Sequence, residues 1–279
     1  MKPAVKFGTS LLMLLLSYNF LNLYSQEQVK SQGYTPHVGQ PGKDVIWVPT
    51  PFELVDKMLD IAGVNSKDYV IDLGSGDGRT VIAAARLGAY AIGIEFNADM
   101  VELSRKKAAE AGVSAKTSFI KADLFEYDLS RATVITMFLL PEINLKLRPR
   151  LLNLKPGTRI VSNTFTMGEW VPDCEAATDG SWGSWNTVLM WVVPAKVEGE
   201  WIIGSSRLTL HQEFQMIYGS VVNDEGLWAI SDGKMNGENI SFNINDTTYT
   251  GKVSGESKIS GTIVAGAVKK EWSATRNER

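Results

Sequence analysis

Cysteine is nearly absent from this 279-residue chain: Cys174 stands alone. One thiol makes no intrachain disulfide, and with only His37 and His211 beside it a structural zinc site lacks its ligands. Cys174 has no activating partner nearby in sequence and reads as a packed thiol rather than a nucleophile. Basic runs are missing as well. The net charge is −3, and the stretch from Lys196 onward holds 9 basic against 11 acidic residues, so no polycation exists there. Nucleic-acid binding needs a clustered positive face, and no nucleic acid is expected as a partner. Only Phe7 to Tyr24 approaches the apolar length of a membrane span.

That stretch has a context of its own. Lys2 and Lys6 precede the apolar run Phe7 to Leu16, and Ser25-Gln26 offers a cleavage point. Residues 1–25 therefore read as a secretory signal peptide or, uncleaved, as a membrane anchor. Ser10, Ser17, Asn19 and Asn22 weaken the anchor reading. The expected location is exported or membrane-associated, and cytoplasmic if the segment is an inverted anchor. Residues 26–44, polar with Gly33, Pro36, Gly39, Pro41 and Gly42, read as a linker or lead-in arm.

The most informative residues are Val70-Ile71-Asp72-Leu73-Gly74-Ser75-Gly76-Asp77-Gly78-Arg79. An apolar run ends in an acid and three alternating glycines. A helical segment, Thr80 to Leu87, follows. A second apolar run, Tyr90 to Ile94, then ends in Glu95. Strand, glycine turn, helix, strand, acid is the order by which a parallel sheet holds a nucleoside cofactor at its carboxyl edge. Glycines admit the tight turn and the close approach of a ligand, and the following helix offers its first N–H groups to a carboxylate or phosphate. Glu95 is spaced to accept from ribose hydroxyls. A dinucleotide motif spells Gly-x-Gly-x-x-Gly; here the spelling is Gly-x-Gly-x-Gly, with Asp72 before it and Asp77 inside it. Carboxylates repel a pyrophosphate and suit a ligand bearing an amino group, so S-adenosylmethionine is favoured over NAD or FAD.

The remaining pattern frames this motif. Thr50-Pro51 opens a helix, with Thr50 as N-cap and its start near the cofactor. Helix Ala98 to Ala111, strand Thr117 to Ile120, strand Thr133 to Leu140, helix Leu145 to Leu152, and strands Thr158 to Phe165 and Thr187 to Val193 continue the alternation. From Lys196 short β-rich runs replace it: Trp201 to Leu210, Glu213 to Val222, Leu227 to Ser231, Asn239 to Ile244, Thr247 to Val253, Lys258 to Val264 and Val268 to Ala274. Asn223 to Gly226, Asp232-Gly233 and Ser254 to Glu256 read as turns. The expected fold is α/β, a Rossmann-like doubly wound sheet over residues 45–195, followed by a small antiparallel all-β barrel or sandwich over residues 196–279. Gly199-Glu200-Trp201 resembles the strand opening of lipocalin-like barrels.

The chain resembles class I, seven-β-strand S-adenosylmethionine-dependent methyltransferases, closest to the ATP synthase c-subunit lysine methyltransferases and more distantly to Dot1-type enzymes. Val48-Pro49-Thr50-Pro51, Asp72 to Arg79, Gly93 to Asn97, Ala122 to Phe125, Leu139 to Asn144, Leu154 to Ser162 and Met167 to Trp170 carry the resemblance. It implies an enzyme that methylates a protein lysine, with a membrane or envelope protein as a candidate acceptor. A small molecule or lipid acceptor stays open, as does an inactive cofactor domain serving the β module. The resemblance implies cofactor contacts from Thr50, Asp72, Gly74, Ser75, Gly76, Asp77, Glu95 and Asp123, the last toward adenine. For catalysis, Glu142 is the candidate for orienting the acceptor amine, with Asn144 as helper; a first-turn helix role for Glu142 competes. Phe138 and Trp170 are candidate channel walls or core. No metal is expected. An exported methyltransferase is in tension with a cofactor made in the cytoplasm.

Overall fold

The computed structural model describes residues 34–180 and 185–277; the segment read as signal peptide or anchor lies outside them. No helix among the described residues is long and apolar enough to cross a membrane. Val38–Arg279 forms one compact unit built on two sheets.

The first sheet has seven strands in the order β3-β2-β1-β4-β5-β7-β6. They are β1 (Tyr69–Leu73), β2 (Tyr90–Glu95), β3 (Thr117–Lys121), β4 (Val134–Met137), β5 (Arg159–Asn163), β6 (Cys174–Ala177) and β7 (Thr187–Val192). β1 to β5 run parallel, and β7 inserts antiparallel between β5 and β6. Side chains alternate between its two faces. Val70, Val134, Val161 and Val188 pack with helices α1 (Phe52–Ile61), α2 (Arg79–Arg86) and α3 (Ala98–Glu110). Ile71, Ile135, Ile160 and Trp191 pack on the other face with α4 (Pro141–Leu151).

Several expectations shift by a few residues, with functional consequences. Thr50 is not the cap of α1: Pro51 occupies that position, no side chain caps it, and the buried Thr50 instead accepts from Arg79 through its carbonyl at 2.8 Å. β4 stops at Met137, so Phe138 and Leu139 leave the sheet to wall the cleft, and α4 begins at Pro141. β6, too polar for the apolar pattern, is not legible in the sequence.

The second sheet comprises β8 (Gly199–Ile203), β9 (Ser206–Glu213), β10 (Met216–Asn223), β11 (Gly226–Ala229), β12 (Ser231–Asn236), β13 (Asn239–Ile244), β14 (Thr247–Ser254), β15 (Lys258–Ala265) and β16 (Val268–Arg276). Pairings run from β8 through β9, β10, β12, β13, β14, β15 and β16 back to β8, closing a barrel; β11 extends from β10 outside the ring. The run expected over Trp201 to Leu210 is therefore two strands, broken at Gly204-Ser205. Asp232-Gly233 is not a turn but a bulge inside β12, with Asp232 at φ 51°. Trp201, Leu208, Leu210, Met235, Ile240, Phe242 and Ile259 fill the interior, as an eight-strand barrel permits. Arg276 lies over the Trp201 ring at 4.4 Å, and the Trp201 indole donates to Val197 O at 2.8 Å.

The barrel packs on the first sheet through the β9–β10 turn. Phe214 stacks on the fully buried Trp170 at 6.0 Å, Arg148 lies over the Phe214 ring at 5.3 Å, and Gln215 Nε2 donates to Val171 O at 2.7 Å. Trp170 is thus core between sheet and barrel rather than a channel wall.

Candidate active site

A cleft, partly open to solvent, runs along the carboxyl edge of β1, β2 and β4. Thr50, Asp72, Gly74, Ser75, Gly76, Asp77, Glu95 and Asp123 all line it. These positions, far apart in sequence, converge there because parallel strands end together.

The register explains the chemistry of the first acid. Asp72 on β1 sits beside Thr136 on β4, and the Thr136 hydroxyl donates to Asp72 Oδ1 at 2.6 Å. Burial pushes the Asp72 carboxyl up to about 7; the Thr136 hydrogen bond opposes this, and the nearby Glu95 and Asp77 carboxylates add to it. A cation in the cleft would reverse much of that rise. Asp77 behaves differently. Its burial favours the neutral acid, but Arg79 binds both its oxygens at 2.9 and 2.8 Å and Lys107 Nζ lies at 2.6 Å, so it is held below the usual carboxylate range. Asp77 ties α2 to α3 and brings little uncompensated charge. Asp72 and Glu95 are the cleft carboxyls that no basic side chain pairs among the described residues.

Glu95 staples the loop. Its Oε2 accepts from Gly76 N at 2.9 Å and its Oε1 from Asn97 N at 2.8 Å, leaving further lone pairs toward the cleft. The loop's donors are largely spent internally: Gly74 N and Ser75 N reach Ile94 O, and Gly78 N reaches Ser75 O. Little of an anion nest is left for a pyrophosphate. Gly76, at φ +52°, lies so close to Trp47 that a Cβ would stand 2.5 Å from its Nε1.

Trp47 belongs to a feature hidden in the sequence. Gly39 to Trp47, expected as mostly linker, forms a hairpin-shaped strap: Gly39 N donates to Trp47 O and Trp47 N to Gln40 O, both at 2.9 Å, with Pro41 bridging Ile46. Gln40 to Trp47 all line the cleft. Lys43 Nζ pairs with Asp123 Oδ2 and lies 5.2 Å from the centre of the Phe96 ring. That hydrogen bond and the Phe125 N–H, at 2.8 Å from Oδ1, hold Asp123 below the usual carboxylate range. Asp123 lines the cleft, with the strap latched to it.

Glu142 and Asn144 do not line the cleft. Glu142 is exposed in the first turn of α4, where a carboxylate favours the helix N-terminus. Asn144 is fully buried; its Nδ2 donates to Phe165 O at 3.1 Å and Thr166 O at 3.2 Å, fixing the segment after β5. Phe138 does line the cleft, and beyond it stand Phe165 and Trp185.

The residues fit S-adenosylmethionine. The buried Asp72 carboxylate would hold the methionine ammonium, Glu95 would accept from ribose hydroxyls, and Ile94, Phe96, Met100 and Leu124 line the cleft as apolar surface that a base could cover. The buried Ser75 hydroxyl has no partner within the protein, as a ligand-facing donor would.

Known proteins agree with this geometry. A family model described as the ANTKMT methyltransferase domain matches residues 72–174, and one described as DNA methylase matches residues 19–106. A protein-lysine N-methyltransferase of Saccharolobus islandicus (strain REY15A) is 40% identical over 164 residues, 57% of this chain and 96% of that protein. The chain belongs to the protein-lysine N-methyltransferase family. It is an S-adenosylmethionine-dependent methyltransferase. The methyltransferase is also similar to the ATP synthase c-subunit lysine N-methyltransferase of Xenopus laevis, 39% identical over 105 residues, 37% of this chain but only 46% of that one. An RNA methyltransferase from Salinibacter ruber, solved with S-adenosyl-L-homocysteine, is 49% identical with a TM-score of 0.51, over 54% of this chain and 96% of its own.

Proposed function

We propose that the enzyme methylates the side-chain amine of lysine in a protein. Identity of 40% across 96% of the archaeal lysine methyltransferase carries this reading. The cofactor supplies a methyl group on a positively charged sulfur. The amine nitrogen uses its lone pair to bond the methyl carbon as the carbon–sulfur bond breaks, the pair staying on sulfur. The nitrogen's extra proton leaves to water. The chain aligns the reactants, and an amine that arrives protonated gives that proton to water before it attacks. Glu142 and Asn144 remain proposed helpers, Asn144 by positioning the wall and Glu142 from the rim.

A second reading rests on the similarity to the Salinibacter RNA methyltransferase, at 49% identity. The net charge of −3 and the missing basic run favour protein over RNA. We also propose that residues 1–25 carry the enzyme to the membrane or beyond it, which favours a membrane or envelope protein as acceptor. Labelled S-adenosylmethionine incubated with enzyme and separated envelope, soluble-protein and RNA fractions tests all three points. Protease-sensitive label concentrated in the envelope fraction is expected. Label removed only by ribonuclease would overturn the lysine reading, and label confined to soluble protein would overturn the envelope reading.

A further inference from the structure

Where the first sheet continues past the cofactor cleft, three aromatic side chains meet. Phe138 follows β4, Phe165 follows β5, and Trp185 precedes β7; these strands are neighbours in the sheet. Phe138 and Phe165 are stacked at 6.0 Å and 19°, while Trp185 meets Phe138 edge-on at 5.9 Å and 70°. The rings therefore form two walls of a corner. Phe138 also lines the cofactor cleft, and Trp185 is 40% exposed, so the corner joins the cleft to solvent.

The corner is built rather than incidental. Thr164 has φ +61°, a left-handed conformation costly for a β-branched residue. The turn it makes is held by Phe165 N donating to Asn163 O at 2.7 Å and by two donors on Phe165 O, Ser162 Oγ at 2.7 Å and Asn144 Nδ2 at 3.1 Å. Three hydrogen bonds and a strained residue fix the backbone that carries one ring. Burial alone does not require this, since Phe165 is only partly buried.

We infer that Phe138, Phe165 and Trp185 are the acceptor subsite, taking an alkylammonium side chain against their faces and leading it to the methyl donor. The rings already touch, so the cation lodges in the corner, not between the stacked pair. Ring faces attract ammonium groups, more strongly as water is excluded, and quaternary ammonium groups suit them best. Asn144 is a positioning residue acting through Phe165. The inference rests on the lysine reading, but its test uses no methyl transfer.

The full chain saturated with S-adenosylhomocysteine is titrated with Nα-acetyl-Nε-trimethyllysine amide and with the neutral isostere bearing a tert-butyl group in place of trimethylammonium. The cation should bind about fivefold or more tighter than the isostere. Trp185→Ala should abolish that preference and Trp185→Tyr restore much of it, with S-adenosylhomocysteine affinity unchanged in both. Equal binding of the two probes, no binding of either, or a preference that survives Trp185→Ala overturns the assignment. Failure of the lysine reading shows separately, as absence of protein label from the wild-type enzyme.

Discussion

Asp72 shows how much one residue's surroundings decide. Its carboxyl binds a proton more readily in the fold than in the unfolded chain. Its contribution to stability is therefore complete below the unfolded value of roughly 3.9 and is lost as pH rises through about 7. Cofactor binding has the opposite sign, because a sulfonium and an ammonium favour the ionised acid. Titration calorimetry should find S-adenosylmethionine binding roughly tenfold tighter at about pH 7.5 than at about pH 6. Asp72→Asn should bind weakly and show no such step; a pH step that persists in this variant would remove Asp72 from the account. Gly76 is constrained sterically instead. Gly76→Ala combines an unfavourable positive φ with a Cβ 2.5 Å from Trp47 Nε1, so the strap must move. It should cost about 1 kcal/mol of stability and weaken cofactor binding by about tenfold or more, read by thermal melts with and without S-adenosylmethionine. These positions are legible in the sequence because only glycine and a carboxylate satisfy the turn and the ligand there. The different fates of Asp72 and Asp77 are not legible, since Arg79 and Lys107 reach Asp77 only once α2 and α3 have packed.

Among the elements, the strap is the least legible. Gly39, Pro41 and Gly42 spell a linker, and the order of Gly39 to Trp47 comes from bonds to Asp123 and packing on Gly76, distant in sequence. The Lys43–Asp123 pair is exposed on the Lys43 side, so its contribution is that of a weak surface latch. Lys43→Ala should therefore raise the dissociation constant for S-adenosylmethionine about fivefold at most, mainly by faster release, measurable by stopped-flow fluorescence of Trp47. Unchanged release would mean that the strap does not gate the cleft. The strands β1, β2 and β4, by contrast, are legible because their buried runs are mostly apolar. Their ends are not: Phe138 and Leu139 are as apolar as β4 itself, and only the structure shows them leaving the sheet to wall the site.

At the scale of the molecule, the contacts between barrel and first sheet predict a supporting role for the barrel. Phe214 and Gln215 hold Trp170 and Val171, on the same connection that carries Phe165 between β5 and β6. The all-β character is legible from turn spacing, but closure depends on β8 meeting β16, a pairing that turn spacing alone does not specify. Because Val38–Arg279 is one compact unit, calorimetry should show one unfolding transition. Trp201→Ala, at the filled base of the barrel, should destabilise by about 3–5 kcal/mol and lower that single transition. A barrel melting separately, with methyl transfer preserved, would refute the support role. The central claim is that the cleft passes a methyl group from S-adenosylmethionine to lysine. Its most direct test is amino-acid analysis of acid-hydrolysed acceptor protein after reaction with labelled cofactor, comparing wild type with Gly76→Arg. The account predicts label in Nε-methylated lysine with the wild-type enzyme and none with the variant. Label in any other product, or equal label with the variant, would contradict it.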